Sequence, residues 1–280
     1  MKIFTRVWLA VSLLAVAVGA VIVIVVALTG ARWKNVYTRS FYEAYDDIKS
    51  LDFDFAYGKV TIKEGDSFSI AAENVPEKIF KSYVKDGVWH IKEKYGILSN
   101  VFGGNIFNIN IFGFKMGYSS REITITVPKD FIAEECRLDI GAGEVEAETI
   151  YAKEGYFKVG AGKLDIKRLE ITGKSEYEVG AGSMAVKNLT AYDTKFDCGV
   201  GEIEINGILR GENVIKCGVG RISLDLKGNE KDYSYKLVSG LGNVVIDSQS
   251  YHRVNKSIDN NSDNLLILEC GIGSIDVDFH

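Results

Sequence analysis

The sequence predicts an all-β protein: a single-domain β-solenoid of the right-handed parallel β-helix kind, with rungs of about 19 residues, preceded by one N-terminal transmembrane helix. Three observations predict it. A Gly-x-Gly unit recurs with leading glycines at Gly141, Gly160, Gly180, Gly199, Gly218, Gly240 and Gly271, at intervals of 19, 20, 19, 19, 22 and 31 residues. After each glycine pair, apolar residues alternate with mostly polar ones, as in Val145 and Ala147, Leu164 and Ile166, Met184 and Val186, Ile203 and Ile205; this period of two marks strands with one buried face. The period is too short for a strand–helix–strand unit or a propeller blade, and no helical periodicity runs through the repeats, so a coil of short strands stacked about 4.8 Å apart fits best.

At the N-terminus, Val7–Leu28 carries no charge and is interrupted only by Ser12 and Gly19. As a helix it would span about 33 Å, against a hydrocarbon core of about 30 Å. A secretory signal has a shorter apolar core and a small-x-small cleavage site, which Thr29-Gly30-Ala31 matches poorly, so residues 1–34 are expected to be a retained membrane anchor with basic flanks. Lys2 and Arg6 on one side nearly balance Arg32, Lys34 and Arg39 on the other, so flanking charge leaves the orientation open. The architecture of residues 35–280 leads to the expectation that this domain lies outside the cytoplasmic membrane, on a single-pass anchor.

Hydrophobic residues make up 46 % of the chain and charged residues 25 %, a globular balance. Residues 35–280 hold 29 basic and 38 acidic side chains, a net charge of −9, which disfavours nucleic acid as a partner. The three histidines, His90, His252 and His280, are too scattered for a histidine triad or metal cluster.

Along the solenoid domain, Leu51–Ile62 reads as a degenerate first rung, with Val60 and Ile62 in the places of Val145 and Ala147. Phe68–Ala72, Val84–Lys92 and Arg121–Val127 read as further strands, and the irregular region 48–130 as the cap that hides the open sheet edge ahead of the seven repeats of 136–280. The apolar stretch Val101–Tyr118 is expected to add strands to that cap, the alternative being an exposed patch for a partner or membrane surface. Ser248–Asn264, rich in Asn, Ser and Asp, reads as a solvated loop. The glycine pairs should mark a corner that needs either positive φ or close backbone approach.

Candidate sites are few. Gly160-Ala-Gly-Lys163 lacks the spacing of a phosphate-binding loop and recurs in six other copies, so it reads as a structural corner. Cys198, Cys217 and Cys270 replace Ile140, Val159 and Val179 in an inward column and read as packed free thiols, with a Cys198–Cys217 disulfide as the alternative; Cys136 lies outside the column, and no zinc-type spacing is present. Glu146 and Asp165 should lie one rung apart, roughly the 5 Å separation of a retaining glycosidase, with Glu204 further along; a solvated acidic edge is the preferred reading. In the neighbouring column Glu144 with Lys163 and Glu202 with Arg221 suggest weak charge pairs between rungs. No catalytic residue, metal site or cofactor is assigned.

Ile48-Lys-Ser-Leu-Asp-Phe-Asp-Phe-Ala-Tyr-Gly-Lys-Val-Thr-Ile-Lys-Glu-Gly65, and Arg121-Glu-Ile-Thr-Ile-Thr-Val-Pro-Lys129 leading into the repeats, resemble the bacterial domain-of-unknown-function 4097 family, often described as adhesins with β-strand repeats. The resemblance covers residues 48–280 and implies a membrane-anchored envelope protein without catalytic residues. The expected function is therefore a non-enzymatic, adhesin-like binding or scaffolding surface whose partner is a cell-wall polymer or an envelope protein. The alternatives are a regulatory or sensor component of an envelope-stress system and a polysaccharide-active β-helix enzyme.

Overall fold

In the computed structural model, residues 37–93 and 121–280 are described. The anchor expected over residues 1–34 and the apolar stretch 101–118 lie outside them. Among the described residues no helix is long and apolar enough to cross a membrane.

The chain begins with β1 (Thr38–Tyr45), β2 (Ser50–Phe55), β3 (Lys59–Gly65), β4 (Phe68–Pro76), β5 (Phe80–Lys85), β6 (Val88–Glu93), β7 (Glu122–Pro128) and β8 (Ile132–Ile140). The repeats follow as β9 (Glu144–Val159), β10 (Lys163–Ile171), β11 (Ser175–Val179), β12 (Ser183–Tyr192), β13 (Thr194–Cys198), β14 (Glu202–Arg210), β15 (Glu212–Cys217) and β16 (Arg221–Leu226). After a single 3₁₀ turn come β17 (Ser234–Ser239), β18 (Asn243–Ile246), β19 (Gln249–His252), β20 (Asn255–Ile258), β21 (Leu265–Cys270) and β22 (Ser274–Phe279).

These strands form two ladders that meet at the glycine corner. One runs β1–β4–β7–β3–β9–β10–β12–β14–β16–β22–β18–β19, and the other β5–β6–β2–β8–β9–β11–β13–β15–β21–β17–β20. The interior of each ladder is parallel, and antiparallel strands close the ends: β1, β4 and β5 at one, β19 and β20 at the other. The degenerate first rung is real, since Val60 and Ile62 of β3 pair in register with Val145 and Ala147 of β9.

Three expectations are corrected. Rungs do not stack in sequence order: β21 and β22, carrying the seventh glycine pair, slot between the fifth and sixth, pairing with β15 and β16 on one side and β17 and β18 on the other. Ser248–Asn264 is not merely a solvated loop, because β19 and β20 within it fold back antiparallel onto β18 and β17 and cover the final rung. Val84–Lys92 is two strands, broken by a tight turn at Asp86 and Gly87 with φ of 53° and 76°, the backbone that an Asp-Gly hairpin favours.

Inward side chains stack in columns. Phe157, Tyr177 and Phe196 lie face to face on successive rungs, with ring centroids 5.3 and 4.5 Å apart. The rule of apolar interiors has an exception in Ser175, Thr194 and Asn213, all buried in one column; Asn213 Oδ1 accepts from Thr194 Oγ1 at 2.8 Å, and Asn213 Nδ2 donates to the carbonyl of Gly211 at 3.1 Å.

Candidate binding groove at the glycine corner

The glycine pairs are required by close approach and not by φ. None of the seven pairs takes a positive φ, whereas a Cβ on the second glycine would sit 2.2 Å from the carbonyl oxygen one rung below at Gly162, Gly182 and Gly201, and 2.1 Å away at Gly220 and Gly273. Backbone therefore packs on backbone, and hydrogen bonds between rungs continue round the bend: Ala161 N–H donates to Gly141 at 2.8 Å, and Lys163 N–H to Gly143 at 2.8 Å. Gly160 and Gly162 N–H are spent in the same way on Ile140 and Gly141, so Gly160–Lys163 keeps no free amide for a phosphate.

With no side chains on its second glycines, the corner becomes an open groove of about 740 Å³. One wall is polar, formed by Ser183, Glu202, Arg221 and Ser274. The other is the residue between the glycines, which points to solvent in every repeat. Taken in the order in which the rungs stack, this position reads Ala142, Ala161, Ala181, Val200, Val219, Ile272, Leu241, an apolar ridge that grows in bulk toward the C-terminal cap. Val200, Val219, Ile272 and Leu241 are 66 %, 55 %, 62 % and 69 % exposed, too accessible for residues serving only a core. The ridge was not identified from the sequence, although it was legible as the x of Gly-x-Gly; what the structure adds is that this position is exposed in every repeat.

The carboxylates singled out from the sequence do not converge. Asp165 lies opposite Glu146 in register, but Glu146 takes Lys59 at 3.5 Å and Asp165 takes Lys163 at 2.6 Å, both open to solvent. Ala185 separates Asp165 from Glu204 in the column. The pairing expected between Glu144 and Lys163 is displaced, since Lys163 turns to Asp165 of its own strand; this proximity also raises its pKa. Glu202 does face Arg221 in register. Ion pairs between rungs form elsewhere, at Lys158–Glu178 and Lys216–Glu269, both 2.9 Å. Among the described residues no cluster of His, Cys, Asp or Glu is arranged to hold a metal ion.

The cysteines fall where the inward column requires. Ile140, Val159, Val179, Cys198, Cys217, Cys270 and Ser239 succeed one another in register. All four cysteines are unpaired and buried. Cys217 Sγ donates to the Gly220 carbonyl and Cys270 Sγ to that of Gly273, each at 3.1 Å, as Ser239 Oγ does to Gly242 at 2.7 Å. Burial pushes the Cys136 thiol up to about 12 and the Cys270 thiol up to about 11, which keeps them protonated and unreactive.

Two features of the cap escaped the sequence reading. Glu93 and Arg121, buried and paired through Oε1 and Nη2, join the end of β6 to the residue preceding β7, and Glu93 Oε2 accepts from the Ala56 N–H at 2.8 Å. Beside them Asp52 accepts from Lys92 at 2.6 Å and contacts His90 Nδ1 at 2.8 Å, while Asp54 lies opposite Asp139. Burial, reinforced by Asp139, raises Asp54 to about 6.

No curated protein matches the chain. Among solved structures it is similar to a putative cell adhesion protein from Clostridium sporogenes, at 17 % identity and a TM-score of 0.36, covering 87 % of this chain and 100 % of that one. A putative adhesin from Bacteroides fragilis (14 % identity, TM-score 0.38, 86 % and 98 % covered) and a putative lipid binding protein from Parabacteroides distasonis (15 %, 0.39, 87 % and 97 %) are similar at the same level. The family model described as Toastrack DUF4097 matches residues 48–264, from the first rung through the antiparallel cap, and by that match the chain belongs to the Toastrack DUF4097 family.

Proposed function

We propose that this protein is a membrane-anchored component of the bacterial cell envelope whose solenoid is a non-catalytic, adhesin-like binding or scaffolding surface. The ridge at the glycine corner is its contact line. The observation that carries this reading is the row Val200, Val219, Ile272 and Leu241, four large apolar side chains exposed in register on a backbone ladder that cannot collapse to bury them. A row repeating at the rung spacing suits an extended polymer or a partner strand better than a compact small molecule. The anchor of residues 1–34 would hold this surface outside the cytoplasmic membrane.

The test compares full-length protein in native membranes with a Val200→Ser, Val219→Ser, Ile272→Ser variant, using pull-down and complementation of a strain lacking the gene. Loss of the captured partner and of complementation, at unchanged abundance and melting temperature, is the expected result; retention of both refutes the ridge as the contact line. Protease added to spheroplasts should degrade the domain, and full protection would refute the outside placement.

A further inference from the structure

Among the described residues each ladder ends, on either side, in a strand that pairs along one edge only, and three of these four terminal strands carry features that discourage further pairing. β5 presents Lys81 and Lys85, while β19 and β20 are four residues long. β1 is different: it has eight residues, no lysine and no proline, and among the described residues only β4 pairs with it. The irregularity in that pairing belongs to β4, where Glu73 and Asn74 (φ 54°) stand opposite the single residue Ser40, so β1 itself is unbroken. Tyr42 on its outer surface is 67 % exposed.

The sequence of β1 is complementary to itself. One face of it carries the exposed Arg39 and the half-buried Phe41, Glu43 and Tyr45, with Tyr37 just ahead of the strand. Read about Phe41, the pattern Tyr-x-Arg-x-Phe-x-Glu-x-Tyr has aromatic ends, opposite charges and an aromatic centre. A second copy pairing antiparallel about Phe41 sets Arg39 of each chain opposite Glu43 of the other, Phe41 opposite Phe41, and Ser40 opposite Tyr42. Directly opposed side chains on such strands lie about 5 Å apart, within reach of an ion pair. Centring the pair on Ser40 or Tyr42 matches neither charge. The face is already set for this: Phe41 packs on Phe80 with centroids 6.0 Å apart, Tyr45 on Trp89 at 5.2 Å, and the Arg39 guanidinium lies 4.5 Å over the Phe41 ring.

We infer that β1 is a dimerisation strand, joining two copies of this chain edge to edge in an antiparallel, two-fold pairing centred on Phe41. This contact lies at the opposite end of the solenoid from the largest side chains of the ridge and does not depend on the proposed role of that ridge.

The test uses full-length protein in detergent, with mass measured by sedimentation equilibrium and folding of each variant checked by its thermal melt. Wild type should be a dimer. Arg39→Glu and Glu43→Arg should each place like charges opposite one another and weaken the dimer at least about tenfold, and the combined Arg39→Glu, Glu43→Arg chain should recover it. Register is read separately by cysteine cross-linking, with the parent chain, whose four native thiols are buried, as the control. Ser40→Cys and Tyr42→Cys chains should form a disulfide when mixed and not alone. A monomeric wild type, a combined variant no better than the single ones, or self-linking of Tyr42→Cys or Ser40→Cys alone would overturn the inference.

Discussion

The second glycine of each repeat is the residue on which the corner depends most directly. At Gly201 a Cβ would meet the Gly182 oxygen at 2.2 Å and Val179 Cγ1 at 2.7 Å, and neither a backbone in a continuous ladder nor a buried valine has room to move. Gly201→Ala is therefore expected to destabilise by about 2–3 kcal/mol through overpacking, whereas Val200→Ala, one residue away and exposed, should change stability by less than about 0.5 kcal/mol. Urea unfolding of both variants decides it, and equal losses would refute the close-approach account. The same inside–outside logic predicts that Ile203→Asp, which buries an unpaired charge at a position with no exposed surface, is far more destabilising than Glu202→Ala on the solvated strand start. Thermal melts of the two separate a correct assignment of faces from a reversed one.

At the scale of elements, the ends of the solenoid hold the informative exceptions. Asp54 on β2 keeps its proton to about pH 6 in the folded chain, mainly because it is buried and secondarily because Asp139 faces it, against 3.8 for an ordinary aspartate. A pKa raised in the folded state means that folding favours the protonated form, so the associated stability is complete below about pH 3.8 and is lost as pH rises through 6. Asp54→Asn, neutral throughout, should therefore gain melting temperature relative to wild type at pH 7.5 and lose that advantage at pH 4.5. A difference independent of pH would remove Asp54 as its cause. At the other end, among the described residues, β17 and β18 pair with the body of the ladder only through β21 and β22. Deleting residues 265–280 should leave β17–β20 without a parallel partner and open 229–264 to limited proteolysis, while the rungs up to β16 stay protected. Full protection of 229–264 in the truncated chain would mean that β17 and β18 can pair directly with β15 and β16.

At the scale of the whole molecule, the carboxylates that the repeats set in line do not converge on one another. Glu146 and Asp165 each hold a lysine and belong to a column interrupted by Ala185. The Glu146→Gln, Asp165→Asn variant should thus complement a strain lacking the gene as well as wild type does. A retaining glycosidase would lose nearly all activity through either change, because nucleophile and acid–base roles both need an ionisable oxygen. A folded, normally abundant double variant with a null phenotype would therefore restore the enzyme reading.

The repeat, the strand faces, the first degenerate rung and the buried column of cysteines were all legible in the sequence. These follow from local alternation and spacing, where a period of two fixes which side chain meets the core whatever lies beyond. The sequence also held the corner residue in plain view as glycine, without revealing whether conformation or contact required it. That question is one of distance between rungs, and only the stacked backbone answered it. Tertiary structure likewise decided the order of the last three rungs, because the choice of β21 over β17 as neighbour to β15 is a long-range pairing that no local pattern encodes. The exposure of the apolar ridge is tertiary as well: Val200, Val219, Ile272 and Leu241 face solvent because the glycines beside them pack backbone on backbone and leave nothing to cover the corner.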